Sequence, residues 1–194
     1  MYDTIDGAQQ VRDDPMPSDE LTLVRAAQRD PTAFDPLYDR YIDRVYAYLR
    51  ARTTTPEDAA DLTQQVFTHA LAALPRYRAG SFAAWLFRIA RNAAVDAHRR
   101  RRATVSWDLV PDALHPLAED DVETRLLARE ARERVRHLLA GLPPDKRELL
   151  ALRYAARLST AEIAAVVGKS EAATRQQLSR LLHALQEQYH DADR

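Results

Sequence analysis

The chain contains no cysteine. Disulfide scaffolds, zinc ribbons, iron–sulfur clusters and thiol nucleophiles are therefore excluded. A protein without thiols is also indifferent to the redox state of its compartment. Glycine is scarce, with 4 in 194 residues, which argues against glycine-rich nucleotide loops and against an all-β fold with many tight turns. No apolar run approaches the roughly 18 residues that a membrane span needs. The first residues, Met1 to Asp6, are acidic and lack the basic and apolar regions of a secretory signal, so a cytoplasmic protein without direct membrane contact is expected. The six histidines (His69, His98, His115, His137, His183, His190) form no His-Glu-x-x-His pair. Gly168-Lys-Ser170 resembles the end of a phosphate-binding loop, but Ile163 stands where the earlier glycine is required. No catalytic residue, metal ligand or cofactor motif is assigned, and the chain does not read as an enzyme.

What is present is charge arranged in blocks. The net charge is -1, from 28 Lys+Arg against 29 Asp+Glu, and 46% hydrophobic with 29% charged residues is a globular balance. Residues 1–20 hold six acids, one arginine, Pro15 and Pro17, and read as a disordered acidic tail. Residues 74–102 hold eight arginines (Arg76, Arg78, Arg88, Arg91 and Arg99 to Arg102) against the single acid Asp96. Residues 103–124 then carry six acids, Pro111 and Pro116, and no Lys or Arg. Such blocks suggest a polyanion-binding segment followed by an acidic linker, although an arginine run is also the ordinary content of a solvated helix end.

The periodicity is helical. Leu21 to Gln28 forms a short helix that Asp30-Pro31 breaks. Phe34, Leu37, Tyr38, Tyr41, Val45, Tyr48 and Leu49 recur at three- and four-residue steps as one apolar face. Thr55, Pro56, Glu57 and Asp58 announce a third helix with an N-cap, a proline at the first position and acids in the first turn. Pro75 ends it. Ser81 caps a fourth, carrying Phe82, Trp85, Leu86, Ile89, Ala93 and Val95, which runs out into the arginines. The spacing of Trp85 favours core over any role in opening DNA.

Beyond the acidic stretch, a helix from about Val122 to Ala140 ends at Gly141, and another runs from Leu142-Pro143-Pro144-Asp145 to Tyr154. Ser159 and Glu162 have the spacing of a capping box. Gly168 supplies a left-handed turn and Ser170 caps the last helix, whose buried stripe is Leu178, Leu181, Leu182 and Leu185. Helix, glycine turn and amphipathic helix make a helix-turn-helix candidate. The expected fold is all-α, with two small helical domains joined by an acidic flexible linker, the C-terminal one a helix-turn-helix. The boundaries are tail 1–20, first domain 21–102, linker 103–121, second domain 122–188 and tail 189–194.

Tyr38-Asp-Arg-Tyr41, Asp61-Leu-Thr-Gln-Gln-Val-Phe67 and Phe82-Ala-Ala-Trp-Leu-Phe-Arg-Ile-Ala-Arg-Asn92 together resemble the second domain of bacterial sigma factors. Leu142-Pro-Pro, Leu158-Ser-Thr-Ala-Glu-Ile-Ala164 and Ser170-Glu-Ala-Ala-Thr-Arg175 resemble the fourth. Order and spacing are similar to the extracytoplasmic-function (ECF) group of the sigma-70 family, over roughly residues 20–102 and 122–188. The resemblance implies a dissociable initiation subunit of RNA polymerase. It would bind core polymerase, recognise promoter -35 and -10 elements, and help melt the DNA. It also implies an anti-sigma factor as a further partner.

By the same resemblance, Asp61, Gln64, Gln65 and Phe67 fall on the motif that binds the clamp helices of the largest polymerase subunit. Gln65 stands where the family usually has glutamate, and Phe67 reads equally as core. The loop from Leu74 to Ser81 matches the segment that captures a base flipped from the -10 strand, with Tyr77 to stack and Arg76 and Arg78 to hold phosphates. Arg88, Arg91, Asn92 and Asp96 would face -10 DNA, and Arg99 and Arg100 would contact phosphates.

On the last helix, Ala173, Gln176, Arg180 and His183 fall opposite the leucines with Ala172, Gln177 and Ser179 nearby; with Ser170 and Arg175, and without His183, these are the -35 candidates. Glutamine pairs with adenine and arginine with guanine, so Gln176 and Gln177 are expected to read an A-containing element. The family often places bases at the positions of Gln177, Leu181 and Leu182. This helix is less cationic, which predicts a shallower salt dependence. A stand-alone helix-turn-helix regulator is the alternative, distinguished by promoter binding without polymerase. An all-helical adaptor would show no salt-sensitive DNA binding. The acidic tail reads either as idle disorder or as a DNA mimic, which deletion of residues 1–18 separates.

Overall fold

The computed structural model describes residues 18–102 and 134–191. Most of the tail expected over 1–20, the linker over 103–121 and the start of the helix expected from Val122 lie outside the described residues. Among those described there are helices and turns and no strand.

Helix α1 spans Ser18–Arg29. Asp30 ends it and opens a 3-10 turn, Pro31–Phe34, by accepting from the Thr32 amide at 2.9 Å, with proline at the first position. Helix α2, Asp35–Arg50, buries Leu37, Tyr41, Val45, Tyr48 and Leu49, while Tyr38 stays 38% exposed at the edge of the same stripe. Helix α3, Pro56–Ala73, starts where Thr55 accepts from the Asp58 amide at 3.2 Å. Thr55→Ala should lower the stability of the chain by about 1 kcal/mol, read as a shifted urea midpoint at unchanged slope. Pro75 converts the end of α3 into a 3-10 turn, Leu74–Arg76. Ser81 accepts from the Ala84 amide, and α4 runs Phe82–Arg102.

The N-terminal core is aromatic. Phe82 is fully buried and touches Tyr41, Tyr77 and Trp85 with centroids 5.5, 5.9 and 5.4 Å away. Tyr48 meets Phe87 edge to face at 5.7 Å. Two buried phenols end on carboxylates: Tyr41 donates to Glu20, and Tyr48 donates to Glu148 at 2.6 Å. Burial pushes both hydroxyls far above the usual tyrosine range, so they remain donors.

The C-terminal half begins with α5, described over 134–140, and α6, Pro144–Leu150. The helix expected to continue to Tyr154 widens into a π turn at Ala151–Ala155, closed by Ala156 N–H to the Ala151 carbonyl. Arg157 then takes a left-handed φ of 52°. In α7, Thr160–Val167, the capping box is complete: Glu162 N–H donates to Ser159 Oγ, and Ser159 N–H to Glu162 Oε2. Gly168 is left-handed at φ 71°, as the turn requires of a residue without Cβ. Helix α8, Glu171–Asp191, extends past the expected boundary, so residues 189–191 are helical rather than a tail. Its buried stripe is Thr174, Leu178 and Leu181, with Leu182 and Leu185 only half-buried. The Thr174 hydroxyl donates to the Ser170 carbonyl, which hides its polarity within the helix.

The two halves pack together. Helix α7 lies on α4, and Leu149, Leu152, Leu158 and Ile163 belong to the same apolar cluster as Tyr48 and Phe87.

Candidate nucleic-acid interface

Helix α3 presents Asp61, Gln64 and Gln65 to solvent on one face. With Thr68 and His69 they line a shallow open depression. Leu71, 37% exposed, continues this face one turn on. Phe67 is 5% exposed and packs on Tyr38 at 4.7 Å and Phe34 at 6.3 Å. Of its two readings the structure takes the core one, and the half-exposed ring of Tyr38 covers it.

The basic loop is held from beneath. Gln28 Nε2 on α1 donates to the carbonyls of Leu74 at 3.0 Å and Tyr77 at 2.7 Å. Arg76 and Arg78 flank this anchor and are exposed. Tyr77 points inward, 7% exposed, stacked edge-on against Trp85 at 5.3 Å, with its hydroxyl donating to the Gly80 carbonyl. An extracted base therefore cannot stack on this ring unless the loop rearranges. Trp85 is half-buried in the same cluster, in line with its spacing.

Along α4, Arg88, Asn92, Asp96, Arg99 and Arg100 are exposed. Arg88, Asn92 and Arg99 fall close to one line at 100° per residue, with the 36% exposed Val95 between them. Arg91 lies to one side of that line, half-buried, with its Nε 3.8 Å from Glu148 Oε1. That Nε is buried without a hydrogen-bond partner.

On α8, Ser170, Ala172, Ala173, Arg175, Gln176, Gln177, Ser179 and Arg180 are all exposed. Ser170 Oγ accepts from the Ala173 amide at 3.2 Å. Two of these groups are already engaged: Arg175 pairs with Glu171 one turn earlier, and Gln177 Oε1 accepts from Lys169 at 2.9 Å. Lys169, in the turn, escaped the sequence reading because it precedes the helix. Only the fold brings it beside Gln177. Glu171 places a carboxylate in the first turn of α8, which reduces the net positive charge of that helix start further.

Comparison with known proteins finds two family models along the chain. The family model Sigma-70 region 2 matches residues 37–104, and Sigma-70, region 4 matches residues 132–185. The ECF RNA polymerase sigma factor BldN of Streptomyces coelicolor is 35% identical over 160 residues, 79% of this chain and 59% of that protein. The ECF RNA polymerase sigma factor ShbA of Streptomyces griseus is 34% identical, covering 88% of this chain and 97% of its own length. Among solved structures, CnrH in complex with the cytosolic domain of CnrY has a TM-score of 0.65 at 28% identity, over 89% of this chain and 97% of that one. With both sigma-70 regions present in order on an all-helical fold, the chain belongs to the sigma-70 family, as an RNA polymerase sigma factor of the ECF group.

Proposed function

We propose that this sigma factor divides its work between three exposed surfaces. The α3 face of Asp61, Gln64 and Gln65, extended by Leu71, docks on core polymerase. The loop arginines Arg76 and Arg78, with the α4 row of Arg88, Asn92 and Arg99, hold the -10 strand. The start of α8, with Gln176, Gln177 and Arg180, reads the -35 element in the major groove. The chain contributes binding energy and no catalytic group, and works in the cytoplasm, where its polymerase and promoter are. No described helix is long and apolar enough to cross a membrane. A protein inhibitor of the anti-sigma kind is a further partner; the similar CnrH was solved with a protein bound to it.

The observation that carries this reading is the exposure of the polar rows on α4 and α8 beside buried stripes on the same helices. Reconstituted run-off transcription tests it. Core polymerase with the chain should give specific starts from a promoter library that core enzyme alone does not give. Promoter binding that needs no polymerase would favour a free regulator instead.

The -35 assignment has its own test. Gln176→Ala with Gln177→Ala should relax the base preference at one or two positions of the selected element. About 1–3 kcal/mol of discrimination per bidentate pair would be lost. Site selection by the pair of variants that returns the parent element would remove the assignment.

A further inference from the structure

Beside the shared apolar cluster, the two halves meet through polar contacts between residues more than fifty positions apart. Glu148 on α6 is 5% exposed and sits inside the N-terminal half's surface. It accepts from the Tyr48 hydroxyl at 2.6 Å and pairs with Arg52 at 2.8 Å, while Arg91 approaches to 3.8 Å. Arg44 Nε donates to the Ala156 carbonyl at 2.9 Å, and its terminal nitrogen to the Arg157 carbonyl at 3.2 Å. Those carbonyls are presented by the widened turn and the left-handed Arg157 that follow α6. Glu162, after closing its capping box with Oε2, spends Oε1 on the Ser81 hydroxyl at 2.7 Å.

A buried carboxylate is tolerated only when it is paired and hydrogen-bonded, and Glu148 has both. We propose that the surface carrying Arg44, Tyr48, Arg52, Ser81 and Arg91 is a docking surface for the chain's own C-terminal half. Glu148 and Glu162 close it and withhold Arg91 and Ser81 from the -10 strand. The second part rests on the -10 role given to the basic loop and α4 under Proposed function, whose surface Ser81 and Arg91 border; the docking itself does not.

Geometry makes docking and promoter engagement alternatives. Elements at -10 and -35 are about 25 base pairs apart, roughly 85 Å of duplex at about 34 Å per turn. Helices α4 and α7 touch in the docked form. The 31 residues from 103 to 133 are long enough to span at most about 110 Å, which allows the separation. The orphaned Arg91 Nε marks the contact as incompletely satisfied. Glu148 and a DNA phosphate are also rival anions for the same guanidinium.

The absence of cysteine makes the test clean. Spin labels at Asp43→Cys and Gln186→Cys, both exposed, report the distance between halves in the full chain by pulsed electron resonance. The parent should show one narrow, short distance. Glu148→Lys and Arg52→Glu should each broaden it toward long distances, and the two together should restore the short peak by exchanging the charges. Restoration would not follow if either variant merely unfolded its half. A parent distribution already broad, or single variants that leave it unchanged, would overturn the docking.

The withholding is read separately, with Glu148→Ala and random-sequence single-stranded DNA in fluorescence anisotropy. Affinity should rise a few-fold, and at most about tenfold if roughly a tenth of the parent is open, because Arg76, Arg78 and Arg88 are exposed in the docked form as well. A variant that opens by distance and gains no affinity overturns the withholding and leaves the docking in place.

Discussion

Phe82→Ala should destabilise the N-terminal half by about 3–5 kcal/mol, a large fraction of the 5–15 kcal/mol available to a whole domain. Phe82 is fully buried at the start of α4, where Tyr41 from α2, Tyr77 from the basic loop and Trp85 from its own helix meet on one ring. Removing it leaves a cavity that the three aromatics cannot close by rotating, because two of them are fixed elsewhere. Tyr41 is tied to Glu20, and Tyr77 to the Gly80 carbonyl. Urea unfolding followed by tryptophan fluorescence should show the midpoint falling with little change in slope. Phe82→Leu, which keeps most of the volume, should cost less than half as much. Equal losses for both variants would mean that shape at this site does not matter and that the three-ring cluster is not the support of the loop.

The second large effect is electrostatic. Arg76→Glu with Arg78→Glu should reduce specific run-off transcription about 100-fold while the chain still binds core polymerase. Both side chains are exposed on either side of a loop anchor that neither contributes to, so reversing them leaves the Gln28 hydrogen bonds intact. Each lost phosphate contact removes counterion release, and each new carboxylate repels the strand. The salt dependence of binding to single-stranded DNA should flatten by about 1.4 in log–log slope for two contacts, at roughly 0.7 per phosphate. Reduced binding at all salt concentrations with an unchanged slope would assign the loss to a distorted loop instead.

Most of the fold was legible because its signals are local. Thr55, Ser159 with Glu162, and Gly168 announce the helix ends in the sequence, and the structure uses each as a cap. The apolar stripes of α2 and α4 follow the three- and four-residue steps. The departures have physical causes that periodicity does not contain. Thr174 is buried because its hydroxyl is satisfied within its own helix. The turn after α6 widens, a backbone choice that no residue in Ala151–Ala155 announces.

The candidate surfaces were legible in outline. The arginines of the loop and the polar side of α8 are exposed as their spacing predicts. Tyr77 differs because a tyrosine in a basic loop reads as a stacking platform, while its real neighbours, Phe82 and Trp85, lie on the following helix. Nothing local marks Glu148, since a glutamate in a helix is ordinarily solvated. Only the approach of Tyr48, Arg52 and Arg91, remote in sequence, makes it a buried ion.

That remoteness also fixes an order in time. Tyr48 and Glu148 are 100 residues apart, so the bond between them cannot exist until the second half of the chain has been synthesised. Translation at about 5–20 residues per second needs roughly 5–20 s to pass from Arg102 to the end of the chain, far longer than helices take to form. Every newly made molecule thus passes through an interval in which its arginine-bearing half is folded and its C-terminal half does not yet cover it.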